Sequence, residues 1–260
     1  MIASKISALL AAGMLCVAGT ALGAEVKVMI SGGVSAAYSE LVPQYERATG
    51  NKVVTVRGAS MGDSPTSIPG RIRRGEAVDV LIMVGDALDD LLKEGKVAAG
   101  SRVDLARSVI AMAVRAGAPK PDISSADAFK RAMLAAKSVA FSESASGVYL
   151  STDLFPRLGI GAEMKAKSKK IIGEPVGAAV ARGEAEIAFQ QVSELRPVAG
   201  IEIVGQLPAE LQVVTIFAAG VASGAKDASL ARGLIEFLAS PAAAAALEKS
   251  GMEPISKQRK

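Results

Sequence analysis

Short apolar runs rich in β-branched residues alternate along this chain with longer segments whose apolar residues recur at helical spacing. Eight of the short runs predict strands, at residues 26–30, 52–56, 78–83, 108–114, 138–141, 186–190, 200–204 and 212–220. Because strand and helix patterns alternate over the whole length, the sequence predicts an α/β protein and not a helical bundle or a β-sandwich.

The clearest helical pattern follows the first strand. Tyr38, Leu41 and Tyr45 fall on one face of a helix predicted over residues 35–49, which is the spacing of a half-buried helix. Gly50 follows as a typical C-terminal residue. Strand, glycine turn and helix are therefore expected to succeed each other here.

Two predicted strands are long enough to begin in one lobe of the protein and end in another. These hinge strands, 108–114 and 212–220, predict a two-lobed fold in which each lobe is a mixed sheet flanked by helices. Lobe 1 then combines residues 25–105 with 221–260, and lobe 2 spans residues 106–220, including the hinge strands. The ligand is expected in the cleft between the lobes.

The first 23 residues read as a secretory signal peptide. Lys5 makes the n-region basic, residues 6–20 are apolar, and small residues precede a cleavage site near Gly23, as such leaders require. We therefore expect a periplasmic protein. No later stretch approaches the roughly 18 apolar residues that a membrane span needs, so no membrane insertion is expected.

The amino-acid composition limits which metal ligands and which general bases the protein can use. The only cysteine, Cys16, lies in the leader, and the chain has no histidine, so the usual ligands of zinc and copper are missing and no metal site is expected. A general base must then come from Asp, Glu, Lys, Tyr or a serine network.

The charge excludes one class of partner. Losing Lys5 takes the 30 lysine and arginine residues to 29, against 26 acids. With few aromatic residues and no tryptophan, this mild excess argues against nucleic acid and suits a small anionic ligand. The lysine-rich run 165–170 predicts a solvated turn.

The first candidate site is the turn Ser31-Gly32-Gly33, between a strand and a helix. The N-terminus of a helix offers unpaired backbone N–H groups to an anion, and glycines let the ligand approach closely. The alternative is a turn whose glycines serve only to close it tightly.

The second candidate is the loop 57–66, which contains Arg57, Ser60, Asp63 and Ser64. It is long for a connection between a strand and a helix, and loops of that kind often carry function. Arginine suits a carboxylate because its planar fork donates two parallel hydrogen bonds. An ordinary flexible loop is the alternative.

Two further polar turns follow predicted strands. The third turn holds Glu143, Ser144 and Ser146, and the fourth includes Gln191; three hydroxyls in residues 142–147 exceed what helix capping needs. For the fourth turn, polar residues that are exposed on the surface and bind no ligand are an equal alternative. Ligands of open α/β sheets bind beyond the carboxyl ends of the strands, where all four turns lie. Arg107, beside the predicted hinge, is a second candidate clamp.

The mature chain resembles the periplasmic molybdate-binding proteins of ABC transporters over essentially its whole length. Five segments carry the resemblance: residues 26–33, 74–80, 146–149 and 180–185, and 237–241 with Gly251. The resemblance implies the type II periplasmic binding protein fold, two lobes that close over a ligand.

The site departs from that family's pattern. The family holds its oxyanion with serines from the first turn and second loop and with a later tyrosine. The first serine's place falls on Gly33, the second loop is longer with Ser60, Ser64 or Thr66 as substitutes, and the tyrosine's place falls on Gln191. A longer loop with arginine near the cleft suits a larger, planar polycarboxylate.

The chain is also similar to the bacterial aconitate isomerases, secreted enzymes of the same fold. This resemblance implies interconversion of trans- and cis-aconitate by an allylic proton shift without a cofactor. Asp63 or Glu143 is then the candidate base, and Tyr38 or Tyr149 the candidate proton donor. The alternative is a non-catalytic binding protein that delivers a small anion to an ABC permease. In either case we expect a monomer.

Overall fold

The structure, a computed structural model, describes residues 23–62 and 64–255. The predicted signal peptide up to residue 22 lies outside the described residues, and so does Asp63.

The described residues form an α/β protein. The strands are β1 (Glu25–Ile30), β2 (Lys52–Arg57), β3 (Val80–Val84), β4 (Val103–Arg115), β5 (Val139–Ser142), β6 (Ser168–Ile171), β7 (Ile187–Gln191), β8 (Ile201–Gln206), β9 (Val214–Val221) and β10 (Glu253–Pro254). The α-helices are α1 (Ser35–Thr49), α2 (Ile68–Arg73), α3 (Gly85–Lys93), α4 (Ala126–Ala135), α5 (Ala145–Tyr149), α6 (Phe155–Arg157), α7 (Gly161–Lys167), α8 (Val176–Ala181), α9 (Val192–Leu195), α10 (Ala228–Leu238) and α11 (Ala244–Ser250).

Shorter turns join some of these elements. A 3₁₀ turn over Gly32–Val34 leads into α1, and a π-helical turn over Leu150–Leu154 links α5 to α6. The predicted helix over residues 35–49 is confirmed at both ends. Gly50 ends it with a backbone in the left-handed region, at φ 74°. The predicted turn at 165–170 is wrong, because α7 ends at Lys167 and β6 begins at Ser168.

Strand β4 joins two sections of sheet. The strand order is β2-β1-β3-β9-β4-β7-β5-β6, with β8 and β10 also paired to β4. Residues 103–109 of β4 pair with β9, whereas residues 110–115 pair with β7 and β8. We call the strands around β1 the first section and those around β5 the second section. The lobe boundaries at 105/106 and 220/221 stay a prediction.

Each section buries apolar residues on both faces. In the first section, Val28 and Ile30 face the helices α1, α10 and α11, and Met29 faces α2 and α3. In the second, Met112 faces the side of α4 to α7, and Ala111 faces α8 and α9. Side chains of a strand alternate between faces, so each central strand serves two cores and reads as a continuous apolar run.

Parallel pairing brings the candidate turns to one side of the sheet. In the first section β1 is parallel to β2 and β3, and in the second β5 is parallel to β6 and β7. The turns after β1, β2, β5 and β7 are those singled out in the sequence. They therefore leave their strands at carboxyl ends, where such sheets bind ligands.

No single helix in residues 23–62 or 64–255 is long and apolar enough to cross a membrane. One bent pair, Ala228–Leu238 with Pro241–Ser250, passes that test by length and composition, with 55° between its members.

Asp79 ties three parts of the first section together. It is buried, and its carboxylate accepts hydrogen bonds from the backbone N–H groups of Lys27 and Lys226, each at 2.8 Å. Its own carbonyl accepts the N–H of Ala222 at 2.9 Å. One side chain therefore holds the start of β1 and the segment that follows β9.

We expect Asp79→Ala to lower the free energy of unfolding by about 2–4 kcal/mol, because it leaves two backbone donors without their charged acceptor. Urea denaturation followed by circular dichroism measures the change. Asp153→Ala, at an exposed position, is the control and should change stability by less than about 0.5 kcal/mol. Equal midpoints for Asp79→Ala and the native protein would contradict this role.

Candidate functional site

A cavity of about 520 Å³ lies between the two sections, and we call it the main cavity. Its walls come from the turns after β1, β2, β5 and β7, joined by residues around Gly173 and by Pro197. This volume falls within the range of small-molecule sites. The four polar turns thus meet around one space.

Arg57 supplies positive charge to this wall. It ends β2, and its guanidinium donates to the hydroxyl of Ser35 and, at 3.2 Å, to that of Ser39. Both serines lie in the first turns of α1 and line the same cavity. These partners are neutral, so they orient the guanidinium and leave its charge available to an anion.

Glu143 lies where the loop after β2 meets the turn after β5. It is buried and accepts a hydrogen bond from the Ser64 hydroxyl at 2.6 Å. Gly62 packs closely beside it, since a Cβ there would lie 2.9 Å from Glu143 Oε2. This contact connects the first section to the second at the cavity wall.

Glu194 follows the end of β7, in the short helix α9, and lines the main cavity. Its Oε1 accepts a hydrogen bond from Gln190 Nε2 at 2.9 Å. Burial raises the pKa of Glu194 to about 7, while hydrogen bonds from the Gln191 backbone and the Gln190 side chain act to lower it. This carboxyl therefore exchanges its proton near neutral pH, unlike an ordinary glutamate.

A smaller, inner cavity of about 10 Å³, roughly the space of one water molecule, adjoins the main cavity. Ser144 and Glu194 line both. Around the inner cavity, the Ser31 hydroxyl and Gln191 Oε1 are buried and have no hydrogen-bond partner among the described residues. Ser193, on the main cavity, has an unpartnered hydroxyl as well.

These unpartnered atoms point to a polar ligand. A buried polar group without a partner typically costs about 1–3 kcal/mol. Three such atoms along adjoining cavities make a site that a ligand or ordered water completes.

Two glycines of the first turn let other side chains fill the space beside them. A Cβ on Gly33 would lie 2.1 Å from the ring of Phe217, and one on Gly32 would lie 2.2 Å from Glu194 Oε1. A serine in place of Gly33 would therefore overlap the phenyl ring, and any side chain at Gly32 would displace the carboxylate.

The structure brings most of the sequence-predicted site residues together. Those that line the two cavities are Ser31, Gly32, Gly33, Arg57, Glu143, Ser144, Ser146 and Gln191. Ser64 contacts them through its bond to Glu143.

Four predicted residues lie elsewhere. Ser60 is fully buried, and its hydroxyl accepts the backbone N–H of Val84 at 3.0 Å. Arg107 forms an exposed ion pair with Glu253 at 3.0 Å. Neither residue lines the main or the inner cavity, and their predicted contact with the ligand stays a prediction.

The two predicted tyrosines also lie outside the lining of both cavities. Tyr38 lies in the core with its hydroxyl 3.0 Å from that of Thr55, and burial raises its pKa to about 12. Tyr149 donates to the carbonyl of Leu211 at 2.8 Å. Because both hydroxyls are engaged away from the cavities, neither is placed to protonate a ligand there.

Sequence reasoning missed Glu194. The candidate predicted in the fourth turn is Gln191, three residues before Glu194. The sequence does contain an indication of this residue. Glu194 lies in the first turn of a helix at the same edge of the sheet as the other polar turns, and a carboxylate at that position is a candidate site residue.

The chain belongs to the family of bacterial extracellular solute-binding proteins, whose pattern matches residues 26–253. Proteins of this class bind small ligands. The periplasmic molybdate-binding protein of Azotobacter vinelandii has the same fold, with a TM-score of 0.69 and 18% identity over 90% of this chain and 100% of that one. The predicted α/β periplasmic binding protein fold is thereby confirmed.

The sequence relatives are more specific. The chain is 50% identical to an aconitate isomerase from a Pseudomonas species over 254 residues, which cover 96% of this chain and 97% of that protein. It is 26% identical to a molybdate-binding protein of Azotobacter vinelandii over 95% of this chain and 96% of that one. Both predicted resemblances are confirmed, and the chain is a homologue of an aconitate isomerase.

We expect the stability advantage of Glu194→Gln to depend on pH. The folded-state pKa of about 7 lies above the ordinary value of 4.5, so the native protein loses stability as the pH rises from about 4.5 to 7. The neutral glutamine escapes this loss. Its Tm should exceed that of the native protein at pH 8 and converge with it at pH 4.5.

Differential scanning calorimetry across this pH range measures both proteins. Glu236→Gln, at an exposed position on α10, is the matched control and should follow the native protein throughout. A Glu194→Gln curve parallel to the native one at every pH would rule out the raised pKa.

Proposed function

We propose that this protein is an aconitate isomerase that interconverts trans- and cis-aconitate without a cofactor. The observation that carries the proposal is the 50% identity to an aconitate isomerase over nearly the full length of both chains. The matched region covers 96% of this chain and 97% of that protein.

The character of the main cavity supports this assignment. Aconitate carries three carboxylates on a planar unsaturated skeleton, and a cavity of about 520 Å³ has room for such a ligand. Arg57 offers a charged fork for one carboxylate. The Gly32 end of the turn into α1 and the hydroxyls of Ser144 and Ser193 offer neutral donors for the others.

The reaction is a proton shift that this donor set suits. A base removes a proton from the methylene group beside a carboxylate, and negative charge spreads over that carboxylate as an enolate-like group. Fixed N–H and O–H donors in a restricted cavity stabilise such charge better than water does, because they need no reorganisation. The proton returns at the other end of the former double bond.

We propose that the protein is located in the periplasm. Membership in an extracellular family supports export, and residues 1–23 supply a leader for cleavage in the periplasm. We propose that the mature protein acts as a monomer on a small anionic substrate, with no nucleic acid or inserted membrane segment involved.

A receptor for a small anion is the second candidate function. The match to solute-binding proteins and the molybdate-binding relative favour it. In that case the protein would deliver its ligand to an ABC permease. Against a compact oxyanion, the overlap of any Gly33 side chain with Phe217 excludes a serine donor at that place.

We expect the purified mature protein to convert trans-aconitate into cis-aconitate, as followed by proton NMR. The alternative is tested beside it by thermal shift with molybdate, tungstate, sulfate and tricarboxylates. A ligand at a hundred times its Kd should stabilise the protein by about 2.7 kcal/mol. Stabilisation by molybdate with no turnover of aconitate would contradict the isomerase and favour the receptor.

Arg57→Gln should raise the KM for trans-aconitate by about 10- to 100-fold, since a charge-assisted hydrogen bond is worth about 1.5–3 kcal/mol. Steady-state kinetics at pH 8 measures the change. Arg232→Gln, exposed on α10, removes the same charge far from the cavity and should leave KM within about twofold. An unchanged KM for Arg57→Gln would exclude the carboxylate clamp.

A further inference from the structure

The proton shift requires one group that meets strict conditions. It must touch the bound substrate, lie where water is restricted, and change its protonation near the working pH. The chain has no histidine, and no described lysine or tyrosine lines either cavity, so the carboxylates of the cavities are the candidates. The inference below rests on the isomerase activity proposed above.

Most acidic groups of the main cavity are already engaged. Glu174 forms two hydrogen bonds with the guanidinium of Arg182, at 2.7 and 2.9 Å, and its pKa is lowered by them. Glu143 accepts the Ser64 hydroxyl at 2.6 Å in the contact between the two sections. The Arg182 guanidinium therefore favours the ionised form of Glu174. Glu143 holds the loop after β2 against the turn after β5.

Glu194 is in a different position. It lines both the main cavity and the inner cavity, and the residues with unpartnered polar atoms, Ser31, Gln191 and Ser193, line the same two cavities. We infer that the Glu194 carboxylate is the catalytic base that takes a methylene proton from aconitate and delivers a proton to the far carbon of the former double bond.

A relay of hydrogen bonds orients this carboxylate. The buried backbone N–H of Val176 donates to Gln190 Oε1 at 3.0 Å, which leaves Gln190 Nε2 to donate to Glu194 Oε1 at 2.9 Å. The amide cannot turn over without losing both bonds. Glu194 Oε1 is thereby held, and the close approach of Gly32 confines it from the first section.

The groups that face Glu194 are neutral. They are the Gln190 amide and the Gln191 backbone on its own side, Gly32 in the turn before α1, and Ser144 in the turn before α5. Besides Glu194 itself, the charged residues that line the main cavity, among those the structure describes, are Arg57, Glu143 and Glu174. Because burial, and not a neighbouring charge, dominates its environment, the carboxyl gives and takes a proton readily around pH 7.

One carboxylate balances the reaction. Glu194 in its ionised form accepts the proton as the methylene C–H bond breaks, and the electron pair moves into the adjacent allylic and carboxylate system. The protonated acid, whose proton exchanges with solvent between the two steps, then donates a proton to the former vinylic carbon, and the double bond ends one position along. No oxidant, reductant or second reactant is consumed.

The test compares the native protein with Glu194→Gln in deuterium oxide, with proton NMR recording two rates. The first is net conversion of trans- into cis-aconitate, and the second is loss of the methylene signal by exchange with solvent. We expect Glu194→Gln to lose about 10²- to 10⁴-fold in both rates, while its Kd for trans-aconitate, by calorimetry, stays within about fivefold. Glu194→Asp, which keeps a carboxylate, should recover part of both rates.

A pH profile separates a base from a residue that only shapes the site. For the native protein, kcat/KM should rise with pH along a limb centred near 7, because the base must be ionised. Glu194→Gln should lack that limb in its residual rate. Glu236→Gln should match the native protein in rates and profile.

Each outcome has a distinct consequence. A native protein that isomerises aconitate, with Glu194→Gln retaining its rate or its acidic limb, overturns the role of Glu194 and leaves the isomerase standing. Native exchange of methylene protons without net conversion, abolished in Glu194→Gln, supports the base and overturns the isomerase. Neither exchange nor conversion by the native protein overturns both.

Discussion

Strand β4 hydrogen-bonds along its length to both sections of the sheet, and the site depends on this continuity. Residues 103–109 hold β9 of the first section, and residues 110–115 hold β7 and β8 of the second. The backbone pairing fixes how the two sets of strand ends face each other. Four turns that are distant in sequence thereby form the walls of one cavity.

Close packing inside that frame gives the cavity its chemical character. Phe217 occupies the space beside Gly33, and the carboxyl of Glu194 occupies the space beside Gly32. The two glycines thus do more than close a turn, since they admit an aromatic ring and an ionisable group against the backbone. Proteins of this family bind small ligands, and this packing places an aromatic ring and a carboxyl against the turn that lines the two cavities.

The site holds features that oppose stability. Buried hydroxyls of Ser31 and Ser193 and the amide oxygen of Gln191 have no partner among the described residues, and the Glu194 carboxyl is desolvated. Such groups weaken the fold unless a ligand completes them. Among the described residues, three of the six buried side-chain atoms without a partner line these two adjoining cavities, and such a group beside a cavity is typical of a functional site.

Local pattern determined the elements and the positions of the polar turns, because a strand's alternation and a helix's spacing depend on neighbours in the chain. Helix 35–49 and its Gly50 end were predictable for this reason, whereas β6 was not, since its lysines obscure an edge strand held by pairing with β5. Only the tertiary structure decided which polar residues face the cavities. It turned Tyr38 into the core, paired Arg107 with Glu253, and placed Glu194 beside Gly32. Orientation and desolvation arise from contacts between segments far apart in sequence, so no local pattern encodes them.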